Sequence, residues 1–185
     1  MLEIIVPKNN QLWDPVKEKF LKVKETKLTL EHSLVSLQKW EAKWKVPFLN
    51  NRKMTEDQLR DYVKCMTITQ NVDPLVYYAL TQENYNAIIA YMEDPMSATT
   101  INEKNIPRGK GGSGQKVITA EMIYYWMTAL NIPPEYRKWH LNQLMTLIKV
   151  ASIEQQPPKQ MSKRDIMSQN KSLNAARRAR MHSKG

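Results

Sequence analysis

Glycine is scarce in this chain of 185 residues, and none of its five glycines lies among residues 1–108. Four of them fall close together, at Gly109, Gly111, Gly112 and Gly114. The separation of Gly109 and Gly114 fits a phosphate-binding G-x-x-x-x-G-K-[ST] loop. The next two residues, however, are Gln115 and Lys116, so the lysine that reaches the phosphates and the hydroxyl that holds Mg²⁺ are both missing. We therefore predict a flexible surface loop over residues 101–116.

Cysteine and histidine are also rare. Cys65 is the single cysteine, which excludes an internal disulfide and fits a reducing cytoplasm. The three histidines, His32, His140 and His182, have no second ligand at helical spacing. His140 lies on an apolar stripe and Cys65 lies inside a predicted helix, so we expect a hydrogen-bonded core histidine and a small buried hydrophobe. The sequence thus predicts no catalytic residue, no metal site and no cofactor.

Long apolar runs are missing as well. No segment approaches the length of a membrane span, and the start, MLEIIVPKNN, has Glu3 and no basic leader of a signal peptide. Apolar residues still make up 42% of the chain, which is enough for a core. We expect a soluble protein of the cytoplasm.

The net charge of +10 is unevenly distributed. Residues 1–100 carry 13 basic and 13 acidic side chains, and residues 117–156 carry three of each. The excess lies in the loop 101–116 and above all in the tail 157–185, which has eight basic side chains and one acidic. A neutral body with a basic arm is typical of a protein-interaction module, and it argues against a folded basic groove for nucleic acid.

Alternating apolar residues near the start predict strands. Residues 2–6 are apolar except for Glu3, and the stretch stops at Pro7. In KFLKVK and KLTLE, two stretches with period-2 alternation flank a short polar break, which predicts a β-hairpin with one wet face. A sheet this small must pack on something else.

Capping residues and apolar stripes predict helices for most of the remaining chain. Possible N-terminal caps are Ser33, Thr55, Thr81 and Thr119. The last of these helices and the one after the Pro133–Pro134 turn are predicted to form an αα-hairpin. The predicted class is α+β, mainly α, with a small N-terminal sheet packed on a helical body. We expect one domain over residues 1–156 and a basic tail over residues 157–185, in which an S-x-x-D box at Ser162 is compatible with a last helix.

Aromatic residues are candidates for partner contacts. Trp40 and Trp44 are interleaved with lysines, which suits base stacking or a helix face packed on the sheet. The packed helix face is favoured, because the apolar stripe that starts at Leu34 continues into both residues. Tyr124, Tyr125 and Trp126 are consecutive, so at least one is expected to be exposed or to contact another chain. Eleven methionines add adaptable apolar surface.

Four segments carry a resemblance to a known family: LEHSLVSLQKWEAKWKVPFL, CMTITQNVDP, ITAEMIYYWMTALNIPPEYRKWHLNQLMTLIKV and QPPKQMSKRDIMSQNKSLNAARRARMHSKG. Together they cover nearly the whole chain, and they resemble the tail assembly chaperones of long-tailed siphophages. The glycine-rich segment is a local addition to that pattern.

This resemblance implies a non-catalytic assembly factor in the cytoplasm of the infected bacterium. Such chaperones coat the tape measure protein, recruit tail tube subunits and usually leave before the virion is finished. Self-association is compatible with such a role. For apolar contact with a partner we expect the exposed members of the set Trp40, Trp44, Tyr124, Tyr125, Trp126 and Trp139. For a second partner we expect Arg177, Arg178 and Arg180.

Two other functions stay open from the sequence. One is a structural component of the tail or connector that is retained in the virion. The other is nucleic-acid binding through the basic tail, although the lack of aromatic residues in 157–185 weighs against base stacking.

Overall fold

The computed structural model describes residues 1–14, 18–51, 53–99 and 117–155, together with positions 167, 168, 170, 171, 174 and 178. The chain divides into two compact units, residues 1–153 and residues 154–185. In the second unit the described positions between 167 and 178 are helical. The predicted loop 101–116 and the predicted cap Ser162 lie outside the described residues.

Within the described ranges, four short strands precede five α-helices. Their bounds are β1 Leu2–Val6, β2 Asn9–Asp14, β3 Lys19–Val23, β4 Thr26–Leu30, α1 Leu34–Trp44, α2 Glu56–Met66, α3 Gln82–Glu93, α4 Ala120–Ala129 and α5 Leu141–Glu154. Short 3-10 turns cover Pro74–Tyr78 and Pro134–Lys138. The predicted class, α+β and mainly α with a small N-terminal sheet on helices, is confirmed.

The strands form two antiparallel pairs, β1 with β4 and β2 with β3. The sequence pattern predicted a hairpin between what are now β3 and β4, and that pairing is wrong. Ile4 and Val6 of β1 are buried like Leu28 and Leu30 of β4, so pairing these two strands gathers the most apolar faces into one layer. The alternation of apolar and polar residues predicts which side chains of a strand point inward. It does not predict which neighbouring strand becomes the hydrogen-bonded partner.

The outer edge of β4 is covered by the residues that follow α2. The Glu31 N–H donates to the Met66 carbonyl at 2.9 Å, and the Ile68 N–H donates to the Thr29 carbonyl at 2.8 Å. The Thr29 N–H donates to Thr69 Oγ1 at 2.9 Å. These bonds satisfy the strand edge and tie the sheet to α2.

Local capping accounts for the helix starts that were predicted. Thr55 and Thr81 each form a complete capping box with the residue three positions on, and Ser33 Oγ accepts from the Ser36 N–H at 3.3 Å. Lys45 ends α1 with φ 57° and Asn131 follows α4 with φ 54°. These left-handed positions usually hold glycine, which this part of the sequence does not supply.

The start of α4 is capped by a distant carboxylate. Thr119 occupies the cap position but makes no side-chain cap bond. Glu41 of α1 replaces it, because Oε2 accepts from the Ala120 N–H at 2.7 Å while Oε1 accepts from the Phe48 N–H at 2.8 Å. A negative charge at a helix N-terminus is favourable, and this one joins α1 to α4.

The connection between α4 and α5 differs from the prediction that a helix begins near Tyr136. Pro134 starts a 3-10 turn, and His140 then forms an isolated β-bridge with Ser33. The Leu141 N–H donates to the His32 carbonyl at 2.7 Å. These contacts hold the chain extended until Leu141, where α5 begins. Both α4 and the 3-10 turn pack chiefly on α1.

The core lies between the β1–β4 sheet and the helices. Fully buried side chains come from every layer: Trp40, Tyr62, Leu28, Leu30, Leu34, Leu37, Met66, Ile88, Ile123, Leu141, Leu144 and Val6. None of the helices in the described part of the chain has both the length and the apolar character that crossing a bilayer requires.

Candidate functional site

Trp40, one of the predicted partner contacts, is a core residue. Its side chain has no exposed surface, its ring packs edge-on against Phe48 at 5.2 Å, and its Nε1–H donates to the Gln58 carbonyl at 2.9 Å. Trp40 is therefore not one of the exposed aromatics that could contact a partner, and the favoured prediction of a packed helix face describes it. The apolar stripe that begins at Leu34 continues into Trp40, and this is the reason for its burial.

Trp44 lies one turn further along α1 and is half-buried. It lines an open cleft of about 410 Å³ between α1, α2 and the 3-10 turn Pro74–Tyr78. Its Nε1–H donates to Asp61 Oδ2 at 2.9 Å, and Lys43 pairs with the other oxygen of the same carboxylate. Trp44 is therefore partly exposed to solvent, while its indole N–H is already hydrogen-bonded within the protein.

The far wall of this cleft holds an arginine stacked on a tyrosine ring. The Arg60 guanidinium lies 4.5 Å from the centre of the Tyr78 ring and bonds Asp57 Oδ1 at 2.5 Å. Tyr78 is 56% exposed. Stacking of this kind orders a surface arginine, so the cleft has fixed walls.

The consecutive aromatics of α4 point in different directions, as predicted. Tyr125 is 70% exposed, whereas Tyr124 and Trp126 are partly buried against the core. The Tyr124 hydroxyl donates to Gln38 Oε1 of α1 at 3.0 Å. Tyr125 is thus the residue of the three that is most available to a partner.

Trp139 directly follows the 3-10 turn Pro134–Lys138, which packs on α1 as α4 does. Its ring stacks on Tyr136 at 3.9 Å with an angle of 15° between the planes, and about a third of its surface is exposed. We call Tyr124, Tyr125, Trp126 and Trp139 the α4 surface. The α4 surface contacts α1 at Gln38, whereas Trp44 lines the α1–α2 cleft. These two residues are six positions apart on α1 and so face directions about 120° apart. The α4 surface and the α1–α2 cleft are therefore separate.

The predicted basic contacts belong to the second unit. Arg178 is helical and exposed. Arg177 and Arg180 lie outside the described residues, so their prediction stays as it was.

His32 and His140 come together in the core, which their distance in sequence gave no reason to expect. Their ring centres are 5.2 Å apart. Tyr62 shares a hydrogen bond of 2.6 Å with His32 Nδ1, and His140 Nε2 donates to the Tyr91 carbonyl at 3.0 Å. We call His32, His140, Tyr62 and Tyr91 the histidine cluster.

Burial sets the protonation of this cluster. It lowers the pKa of His32 from 6.5 to about 3, with a further contribution from neighbouring His140, whose own pKa is also lowered by burial. His140 Nδ1 accepts from the Asn142 N–H at 3.3 Å, which requires the neutral ring. The expectation of a hydrogen-bonded core histidine at position 140 is confirmed.

Cys65 lies inside α2, as predicted, but it is close to the end of the helix and only half-buried, so the expectation of a buried residue is met in part. Burial, and after it the charge of Asp61, raises the pKa of the thiol to about 11. It is therefore a protonated thiol at neutral pH. Within the described ranges, no three His, Cys, Asp or Glu side chains converge in a way that could hold a metal ion.

Trp13 and Phe20 on the hairpin β2–β3 are exposed aromatics that were not among the predicted contact residues. These two residues lie opposite each other in the strand register and are 51% and 62% exposed. The available signal was the alternation in KFLKVK: if Leu21 and Val23 point inward, Phe20 must point outward.

The exposed aromatics thus lie at three places in the first unit: the α1–α2 cleft, the α4 surface and the hairpin β2–β3. No protein-family model matches this chain, and no curated protein and no solved structure matches it.

Proposed function

We propose that this protein is a non-catalytic chaperone of phage tail assembly, which binds the tape measure protein and recruits tail tube subunits in the cytoplasm of the host cell. The resemblance of four segments to siphophage tail assembly chaperones supports the proposal. The structural observation that carries it is the exposure of large aromatic side chains on a body whose core is closely packed, above all Tyr125 and Trp139 of the α4 surface.

Exposed aromatics on a rigid support suit binding to amphipathic helices. Aromatic rings provide large apolar contact area with few rotatable bonds, and they are enriched in protein interfaces. The α4 surface is held by its packing on α1, so it keeps its shape before a partner arrives. A helix that docks there would contribute apolar side chains at i, i+3, i+4 and i+7.

Co-expression with the tape measure protein tests the proposal. We expect the chaperone to raise the soluble fraction of the tape measure protein and to copurify with it. The double variant Tyr125→Ser and Trp139→Ser is expected to weaken copurification. Ile5→Ser, which changes an exposed apolar residue on β1, serves as the control. If wild type neither solubilises the tape measure protein nor forms a complex with it, the proposal fails.

Two measurements address the other functions. Mass spectrometry of purified particles that finds this chain at stoichiometric copy number would replace the chaperone with a structural tail or connector component. A gel-shift assay whose signal falls steeply with salt and disappears on deletion of residues 160–185 would instead support nucleic-acid binding by the tail.

A further inference from the structure

The outward face of the hairpin β2–β3 carries an aromatic pair that is open to solvent. Trp13 and Phe20 face each other across the two strands, with ring centres 5.0 Å apart and an angle of 65° between the planes. More than half of each side chain is exposed. Large rings in this edge-to-face arrangement support one another, so they form one apolar surface.

The other face of the hairpin fixes this orientation. Val23 is buried, and Leu12 packs against the core. Leu12 and Leu21 are paired in the register directly beside Trp13 and Phe20. Because successive side chains alternate between faces, turning Trp13 and Phe20 inward would expose these apolar residues. The aromatic pair is therefore held outward by the packing of its neighbours.

Lysines border the aromatic pair. Lys22 follows Phe20 by two positions and so lies on the same face, and Lys24 is exposed at the end of the strand. Both line an open groove of about 370 Å³ between the hairpin and residues 69–73. Asp73 also lines the groove, but its carboxylate accepts the Leu75 N–H at 3.0 Å as a helix cap.

The charge balance of the hairpin is positive. Residues 9–24 contain four lysines and two acidic side chains, and the acidic Glu18 lies at the tip of the hairpin, away from the groove. The remaining residues of 1–100 are correspondingly net acidic, because that segment as a whole is neutral. The exposed lysines Lys22 and Lys24 thus give the groove beside the aromatic pair two positive charges against the one carboxylate of Asp73.

We propose that the outward face of the hairpin β2–β3 binds an acidic amphipathic segment of another protein. Apolar side chains of that segment cover Trp13 and Phe20, and its carboxylates approach Lys22 and Lys24. A second copy of this chain is a poorer occupant, because packing the same face on itself sets the lysines of two hairpins around one apolar contact. The inference is independent of the proposed function, since it holds whether or not the partner is a tail protein.

A peptide selection tests this inference. A random 12-residue library displayed on phage is selected on the full-length protein, with prior depletion on the double variant Trp13→Ser and Phe20→Ser. We expect the selected peptides to combine Leu, Ile or Phe with an excess of Asp and Glu over Lys and Arg. A synthetic consensus peptide, followed by fluorescence anisotropy, should lose at least tenfold in affinity on Trp13→Ser with Phe20→Ser. A similar loss is expected on Lys22→Glu with Lys24→Glu.

Ile5→Ser is the matched control and should leave the affinity unchanged, because Ile5 is an exposed apolar residue of the other sheet. Selected peptides that are neutral or basic would overturn the proposal, and so would peptides that bind the Trp13→Ser and Phe20→Ser variant as well as wild type. If light scattering shows a dimer for wild type and a monomer for the Trp13→Ser and Phe20→Ser variant, the face would be assigned to self-association instead. Tight binding of a fluorescent oligouridylate through the same residues would assign it to RNA.

Discussion

The histidine cluster and the hairpin β2–β3 both contain aromatic rings packed edge to face, yet their surroundings differ in kind. Around His32 and His140 the ring nitrogens bond Tyr62, Tyr91 and Asn142. On the hairpin, Trp13 and Phe20 touch each other and solvent. Aromatic rings therefore serve two purposes in this chain, and the neighbours of each ring decide which.

The comparison also separates stability from recognition. The histidine cluster joins the β4–α1 connection to α2, α3 and α5, so its bonds hold four parts of the first unit together. The hairpin forms its own two-stranded sheet, and two strands alone are marginal. We expect changes in the cluster and in the core beside it to lower stability, and changes on the outer hairpin face to alter binding while leaving the fold intact.

We expect the largest difference in the loss of unfolding free energy between substitutions of Trp40 and of Trp13. Trp40→Ala removes a fully buried ring and its bond to the Gln58 carbonyl, and it should reduce the free energy of unfolding by about 3–5 kcal/mol. Trp13→Ala removes a half-exposed ring and should cost about 1 kcal/mol. Urea unfolding followed by circular dichroism measures both.

If Trp40→Ala does not fold, Trp40→Phe keeps a ring without the indole donor and should still cost more than Trp13→Ala. Equal losses of unfolding free energy at positions 40 and 13 would contradict the distinction between a stabilising core ring and an exposed hairpin ring.

The contrast between these tryptophans shows how far the sequence could predict the structure. The helix starts at Ser33, Thr55 and Thr81 were predictable, because a cap acts over three or four residues. The pairing of β1 with β4 was not, since alternation determines a face and not a neighbour. The apolar stripe that starts at Leu34 predicted packing for both Trp40 and Trp44, but it could not show that only Trp40 is fully buried, because both residues lie on it.

The candidate sites were predictable in part. Three consecutive aromatics on α4 required at least one exposed ring, and Tyr125 is that ring. The meeting of His32 with His140 and the bond from Ala120 to Glu41 depend on contacts between distant segments. No local pattern encodes such contacts, because the packing of α4 and α5 on the rest of the unit determines them.

Acid should weaken the core through the histidine cluster. The pKa of folded His32 is about 3, below its unfolded value of 6.5, so the unfolded chain binds the proton first as the pH falls. The stabilisation is fully present above pH 6.5 and is lost progressively toward pH 3. Between pH 7.5 and pH 5, His32 alone should remove about 2 kcal/mol from the free energy of unfolding, and His140, whose pKa is also lowered, adds to the loss.

Urea titrations at pH 7.5 and pH 5 measure this loss. His32→Asn keeps a polar atom near the Tyr62 hydroxyl but does not titrate, so its stability should depend less on pH than that of wild type. The ionisable groups facing the two rings are Glu31, Tyr62, Tyr91, Asp94 and the amino group of Met1. They are unchanged in the variant and serve as the internal control. An identical loss in both proteins would show that His32 does not cause it.

The smallest effect we expect to resolve concerns Glu41 and Glu18, two glutamates in contrasting places. Glu41→Gln leaves one acceptor oxygen where two buried N–H groups, of Phe48 and Ala120, need one each. Leaving one of them without a partner should cost about 1–2 kcal/mol, together with the favourable charge at the start of α4. The same substitution at exposed Glu18, at the tip of the hairpin, should change stability by less than about 0.5 kcal/mol.

Hydrogen exchange at the Ala120 amide locates the Glu41 effect. Glu41→Gln should accelerate exchange there more than at Ile88 in α3, because the lost bond caps α4 and not the neighbouring helix. A uniform acceleration would instead mean that Glu41 acts through global stability alone. Fast exchange at Ala120 in wild type would contradict the cap itself, and the link between α1 and α4 would then depend on apolar packing without the carboxylate.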